Sequence, residues 1–394
     1  MPGFRPAHRA ICDMSQFCLI SFFCLFALVV YVLVAYPLML GFVARRHHHP
    51  VHRDTHLRSV SFVVPVHNGE KFLESKLHSI LALKYPRELM EIIVVSDGST
   101  DATNDIARRF ESQGVRLIRV ERGGKPAAIN VGVPLATGEI LILNDVRQTL
   151  HPDSLRNLIA CFGDPAIGAV SARLSIREGE TSGEHDTGLY WRYERWMREQ
   201  MARIHSSWGC TGAYYALRRT LFTPIPPDVL IDDAWLPLTV LLRGYRVILE
   251  PTAVMYDFPT ALRSEFLRKV RTQAGLFQLL WMLPGLFSSR NPMRIHFLSG
   301  KYGRLLVPWC LLGMAAATIG MAEPWRMILL AAQFAFYFAA VIDSFLPDGS
   351  FLRKLTSPIR TFVTLMSAAL LAGRIFFVQP RSLWKETTVR QIVR

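Results

Sequence analysis

Acidic residues stand at the ends of apolar runs in this sequence. Asp97 closes Met90-Glu-Ile-Ile-Val-Val-Ser-Asp97 and is followed by Gly98-Ser-Thr-Asp101. The run Val60–Val66 ends in Pro65-Val-His-Asn-Gly-Glu70, and Asp145 follows another run in Asn144-Asp-Val-Arg-Gln148. Asp232 and Asp233 are adjacent inside the otherwise apolar Ile231-Asp-Asp-Ala-Trp-Leu-Pro-Leu238. Two neighbouring carboxylates are costly to bury without a purpose. One can serve as a general base; alternatively the pair caps a helix, with one Asp capping and one solvated. Asp97 can accept hydrogen bonds from a base or a ribose, or it can simply close a strand–helix turn. Cations are placed so that they could meet phosphate: Lys125 in Gly123-Gly-Lys-Pro-Ala-Ala-Ile-Asn130, Arg147, and Arg268 and Arg271 in Arg268-Lys-Val-Arg-Thr272. Each also reads as an ordinary solvated charge, and the last pair as a basic helix on a lipid surface.

These residues need a frame. Val60–Val66, Ile92–Val95, Val115–Val120 and Glu139–Leu143 read as buried strands. Helical stretches at Phe72–Leu83, Ala102–Ser112, Pro126–Ala136 and Ser154–Cys161 follow them. Such alternation predicts an α/β domain with a mostly parallel sheet covered on both faces, its ligand at the carboxyl ends of the strands. Thr187–Ile204 reads as an exposed amphipathic helix, and Ser264–Leu280 as a basic helix leading to a membrane, with Trp281 as an interface anchor.

Of the 394 residues, 51% are hydrophobic, and the excess is local. Phe17–Val43 is uncharged and long enough to cross a bilayer, and no small-residue cleavage site marks it as a signal peptide. Leu305–Met321 is uncharged, Met327–Leu346 carries only Asp343, and Thr361–Val378 only Arg374. About four membrane spans are expected. Arg45, Arg46, Arg53 and Arg58 follow the first span, which predicts a cytoplasmic central domain in a cell-membrane protein, with the bacterial inner membrane as the expected site. The expected layout is a tail (1–16), a span (17–43), a basic His-rich linker (44–59), the central domain (60–262), interfacial helices (263–302), about three spans (303–378) and a basic tail (379–394). The net charge of +14 is scattered and shows no nucleic-acid module; contact with anionic lipid accounts for it. Six Cys without a CxxC pair support neither a zinc site nor a disulfide framework.

The order of these motifs resembles the membrane-bound family 2 glycosyltransferases, the cellulose synthase and poly-N-acetylglucosamine synthase-like group. The resemblance covers roughly residues 60–275. It implies a nucleotide-diphospho-sugar transferase (GT-A) fold and inverting transfer of a sugar from a nucleotide-diphosphate donor, a UDP-sugar first among them. The acceptor would be lipid-linked or a polysaccharide. It assigns Pro65, His67, Glu70, Asp97, Lys125, Asp145, Arg147, Arg268 and Arg271 to the donor. Cys210, Thr211 and Gly212, in Trp208-Gly-Cys-Thr-Gly-Ala213, fall to the acceptor, and Asp233, with Asp232 beside it, to catalysis. The sequence departs from the family in two places. Arg147 stands at the second Asp of the Asp-x-Asp motif, which holds Mg²⁺ or Mn²⁺. Either Asp145 and the diphosphate keep the ion, or Arg147 supplies its charge, or activity is lost. Arg268 and Thr272 replace the Gln and Trp of Gln-x-x-Arg-Trp, which favours single additions over a processive synthase. A non-catalytic nucleotide-sugar-binding protein is the rival reading.

Overall fold

The computed structural model describes residues 5–176, 182–257, 262–347 and 349–383. Eight strands form one sheet: β1 (Val60–Val66), β2 (Met90–Asp97), β3 (Val115–Val120), β4 (Ile140–Asn144), β5 (Thr149–Leu150), β6 (Ile167–Ile176), β7 (Tyr214–Arg218) and β8 (Arg246–Asp257). Their order is β3-β2-β1-β4-β7-β6-β8-β5. The first four are parallel, with Val60 opposite both Met90 and Ile140. Strand β7 enters antiparallel between β4 and β6, and β8 runs parallel to β6. The expected mixed, mostly parallel sheet is therefore present.

Alternate residues of the strands feed two cores. Phe62, Val64, Ile92, Val94, Ile140 and Ile142 pack on one face. Val63, Ile93, Val95, Leu141, Leu143 and Leu217 pack on the other. This is the period of two that a sheet imposes on side chains. The second core does not stop at the domain edge. It continues through Val270, Ala274 and Phe277 to Tyr36, Leu40, Phe297, Leu305, Ala368 and Ala372 on the apolar helices.

Among the described residues, four helices are long and apolar enough to cross a membrane: Asp13–Arg46, Arg294–Ile319, Trp325–Phe345 and Phe351–Phe376. Each runs longer than the expected span. Two expectations need correction. In the helix Ser182–Ile204, expected to be exposed, the face that carries Glu194, Met197, Gln200 and Met201 is buried. Helix Leu262–Met282 likewise buries Val270, Ala274, Phe277 and Leu279, so it is a core helix with one basic face. In both, charge alternates with aromatic and apolar residues at helical spacing, which leaves open whether the apolar stripe meets lipid or protein. Residues 384–394, most of the expected basic tail, lie outside the described residues.

Candidate active site

The loops at the carboxyl ends of β1 and β2 are fastened to each other. Asn68 has a positive φ of 48°, a conformation Asn tolerates better than most residues, and its side-chain oxygen accepts from Thr100 N at 2.9 Å. His67 Nδ1 lies 2.8 Å from the Asp97 carbonyl oxygen. The Asp97 carboxylate is buried and accepts from Gly123 N at 2.6 Å, from Gly124 N at 2.9 Å and from Arg122. It thereby fixes the glycine turn that precedes Lys125. Gly124 has a φ of 88°, which the absence of a side chain permits.

Lys125 sits where carboxylates from two elements converge. Its Nζ lies 2.9 Å from Asp145 Oδ1, beyond β4, and 3.0 Å from Asp232 Oδ2, at the start of helix Asp232–Leu242. Burial disfavours its charge, but Asp145, Asp232 and Asp233 outweigh this and hold its pKa above the ordinary lysine value. Burial, with repulsion from Asp233 and Asp145, raises the Asp232 carboxyl against the pull of Lys125. Asp233 points to the loop before β7: its Oδ2 accepts from Gly212 N at 3.0 Å, and its carbonyl accepts from Cys210 N at 2.9 Å. A Cβ on Gly212 would stand 2.8 Å from that Oδ2. Gly212→Ala is therefore expected to displace Asp233 and slow turnover by about 10²-fold with donor affinity unchanged. Steady-state rates beside a nucleotide titration would check this, and parallel loss of donor binding would contradict it.

One cavity of about 1210 Å³ joins these groups. Pro65, His67, Asp97, Lys125, Asp145, Arg147, Cys210, Thr211, Gly212, Asp232, Asp233, Arg268 and Arg271 all line it. Glu70 does not; its carboxylate accepts from Ala102 N at 3.2 Å, and its own N–H donates to Asp101, so it ties the two loops together. Cys210 is buried and its thiol pKa is pushed up by that burial, so it contributes a neutral wall. Burial lowers the Arg271 pKa, opposed by Asp233 and Asp232 nearby.

Arg147 makes a contact the sequence reading did not contain. Its guanidinium forms a bidentate pair with Asp257, the last residue of β8, at 2.9 and 2.7 Å, and Gln148 donates to the same carboxylate at 2.9 Å. Asp257 could have been suspected, because it too ends a long apolar strand. The expected divalent ion can be tested against these donors. Asp145 carries Lys125 and Asp257 carries Arg147, and among the described residues no three or more His, Cys, Asp or Glu are placed to hold a metal ion. These side chains do not form a metal cage by themselves; an ion here would be held by Asp145 together with the diphosphate of a bound donor.

Lys76 was also missed, hidden in the amphipathic pattern of helix Leu73–Leu81. It is fully buried, and its ammonium has no hydrogen-bond partner among the described residues. Burial lowers its pKa to about 7, against the opposing pull of Asp145 and Asp257. An unfolded lysine titrates near 10.4, so the unfolded chain binds the extra proton between these values and stability rises with pH there. Each pH unit in that window contributes up to about 1.4 kcal/mol. Lys76→Met should raise the thermal midpoint most at or below pH 7 and flatten its rise towards pH 9. A lower midpoint at pH 7 would show that the cation holds the carboxylates in place.

Sheet order, nucleotide-side loops and convergent carboxylates define a GT-A-like domain. Residues 61–224 match the model of glycosyl transferase family 2, and the chain carries a family 2 glycosyltransferase domain. It is 24% identical over 246 residues to the poly-beta-1,6-N-acetyl-D-glucosamine synthase of Staphylococcus aureus (strain COL), covering 60% of this chain and 59% of that one. It is 24% identical over 219 residues to the probable glycosyltransferase YdaM of Bacillus subtilis (strain 168), covering 51% of each. The chain thus spans between half and three fifths of the length of these relatives. Among solved structures, the mannosyltransferase PcManGT from Pyrobaculum calidifontis, in complex with GDP-Man and Mn²⁺, superposes with a TM-score of 0.70 at 24% identity. That match covers 90% of this chain and 99% of the other, and it is a likeness of fold.

Proposed function

We propose that this protein is a membrane-integral, inverting glycosyltransferase that moves a sugar from a nucleotide-diphosphate donor to a lipid-linked acceptor. The carrying observation is that Asp233, held by Gly212, faces the same cavity as Lys125, Arg271 and the Asp97-fastened loops. The nucleoside would lie against Pro65, His67 and Asp97, and the diphosphate among Lys125, Arg147, Arg268 and Arg271. The acceptor hydroxyl oxygen attacks the anomeric carbon as Asp233 takes its proton. The bond from that carbon to the diphosphate oxygen breaks, and its electron pair leaves with the nucleoside diphosphate. Lys125 and Arg271 stabilise the charge that grows on the leaving group. Asp232 holds Lys125 in place. A UDP-sugar is the favoured donor, and the domain faces the cytoplasm.

Thr272 at the position of the family's Trp favours single additions. Its hydroxyl is turned inward, donating to the Arg268 carbonyl at 2.9 Å. The test is to incubate the purified protein, in membranes, with a panel of nucleotide sugars and follow nucleoside diphosphate release and product size. Release with at least one donor and a short product is expected. Binding without release from any donor would favour a non-catalytic role, and long polymer from one donor would favour a synthase.

A further inference from the structure

The cavity does not end at the carboxylates. Beyond Cys210 it runs to a second group of charges, where helix Ser182–Ile204 meets the start of the apolar helix Arg294–Ile319. Arg198, Lys301 and Arg304 gather there around the buried carboxylate of Glu194, and Glu265 lies 3.6 Å from Lys269 beside them. Lys301 Nζ lies 3.5 Å from the Glu194 carboxylate, and Arg304 donates to it directly. Arg304, Lys301 and Arg198 hold the Glu194 carboxyl below its usual range even though burial works the other way. Lys269 joins them from helix Leu262–Met282; burial and repulsion from Arg268 and Arg198 bring its pKa down to about 8, although Glu265 and Glu194 oppose this. Lys301 stands over the Trp208 ring at 4.0 Å.

Two further observations say what this end of the cavity takes. Its wall is apolar and comes from candidate membrane helices: Leu33 on the first, and Phe362, Leu365 and Met366 on the last. On that same last helix, Ser357 lines the cavity. It is only 3% exposed, and its hydroxyl has no hydrogen-bond partner among the described residues. The chain also keeps this end near the reacting groups: Trp208 touches Lys301, Gly212 touches Asp233, and the Cα atoms of Trp208 and Gly212 are at most about 14 Å apart.

We propose that this cationic end is the headgroup site for an acceptor built on a lipid phosphate. The phosphate lies among Arg198, Lys269, Lys301 and Arg304, the hydrocarbon chain runs along Leu33 and Phe362–Met366, and the hydroxyl to be glycosylated reaches back to Asp233. This deepens the sugar-transfer reading and rests on it. Four basic side chains line this end of the cavity, and charge-assisted contacts to phosphate are strong.

The test uses the full chain in detergent and three soluble probes: dihexanoyl phosphatidic acid, dihexanoyl phosphatidylcholine and inorganic phosphate. Isothermal titration should give one saturable site for phosphatidic acid, at least about tenfold tighter than for either other probe. Lys269→Gln with Lys301→Gln should weaken it by about tenfold or more while UDP or GDP titrates as in the wild type. Arg45→Gln with Arg46→Gln, on the exposed face of the first apolar helix, should leave it unchanged. Equal affinity for the two lipids, or phosphate binding as tightly as the lipid, overturns the proposal. So does an equal loss in the Arg45/Arg46 variant, which marks a surface effect. If the double variant loses nucleotide binding too, Lys301→Arg against Lys301→Gln decides: retained lipid affinity in the first and about tenfold loss in the second support the site, and equal affinities overturn it. A wild type that binds phosphatidic acid but no nucleoside diphosphate supports this site and sinks the donor reading.

Discussion

Asp233→Asn is expected to reduce sugar transfer by about 10²–10⁴-fold, the range a positioned general base contributes. Asn keeps the shape and can still accept from Gly212 N, which lies 3.0 Å from the carboxylate in the native chain. Only the ability to take a proton is lost. Donor affinity should therefore stay close to that of the wild type, because a base acts in the transition state and not in binding the ground state. Single-turnover rates and a nucleotide titration on the same preparation separate the two. Equal losses in rate and affinity would show that Asp233 holds the donor, and Asp232 would become the group to test. The adjacent carboxylate is a poorer base on geometry: it is already committed to Lys125 at 3.0 Å and is the more buried of the two.

The second large effect concerns Arg147. Wild-type activity is expected to survive a chelator, because Asp145 is already paired with Lys125 and Asp257 with Arg147. Arg147→Asp removes that cation, leaves Asp257 buried without its bidentate partner and places a second acid beside it. In chelator this variant should lose about 10²–10³ in rate, the cost of removing one group that stabilises developing charge. Added Mn²⁺ should return part of it, since the substitution rebuilds an acidic set for a hard cation. Arg147→Ala should destabilise the fold by about 3–5 kcal/mol, as expected when one partner of a buried pair is removed. Asp257→Ala made together with it should recover part of that loss. Abolition of wild-type activity by chelator alone would overturn this account and return Asp145 to the role of metal ligand.

The two departures from the family pattern have different structural weight. Thr272 replaces an aromatic residue without disturbing the helix, which retains Arg271 on the cavity side. Arg147 is part of the architecture, because its partner Asp257 closes β8 and Gln148 shares that carboxylate. A change at 147 is thus a change in how β8 is joined to the loop after β4.

What the sequence determined by itself was the local chemistry and the frame that carries it. Apolar runs broken by Asp97 and by Asp145 mark strand ends, since a strand buried on both faces tolerates charge only where it leaves the sheet. Lys125 and the Asp232–Asp233 pair were joined to them only by the order of motifs that resembles the family. The sequence also located four apolar segments, because crossing a bilayer demands a length and composition that few other elements need. Tertiary structure decided the rest. Pairings such as Arg147 with Asp257 join positions more than a hundred residues apart, and no periodicity encodes them. Lys76 reads as one polar residue on an amphipathic helix until the helix is packed and its ammonium is found inside. The helix around Glu194 reads as a solvated surface because the partners of that carboxylate, Lys301 and Arg304, are brought to it by another helix. Burial and long-range charge matching are properties of the assembled fold, and they turned a recognisable donor edge into a cavity reaching the apolar helices.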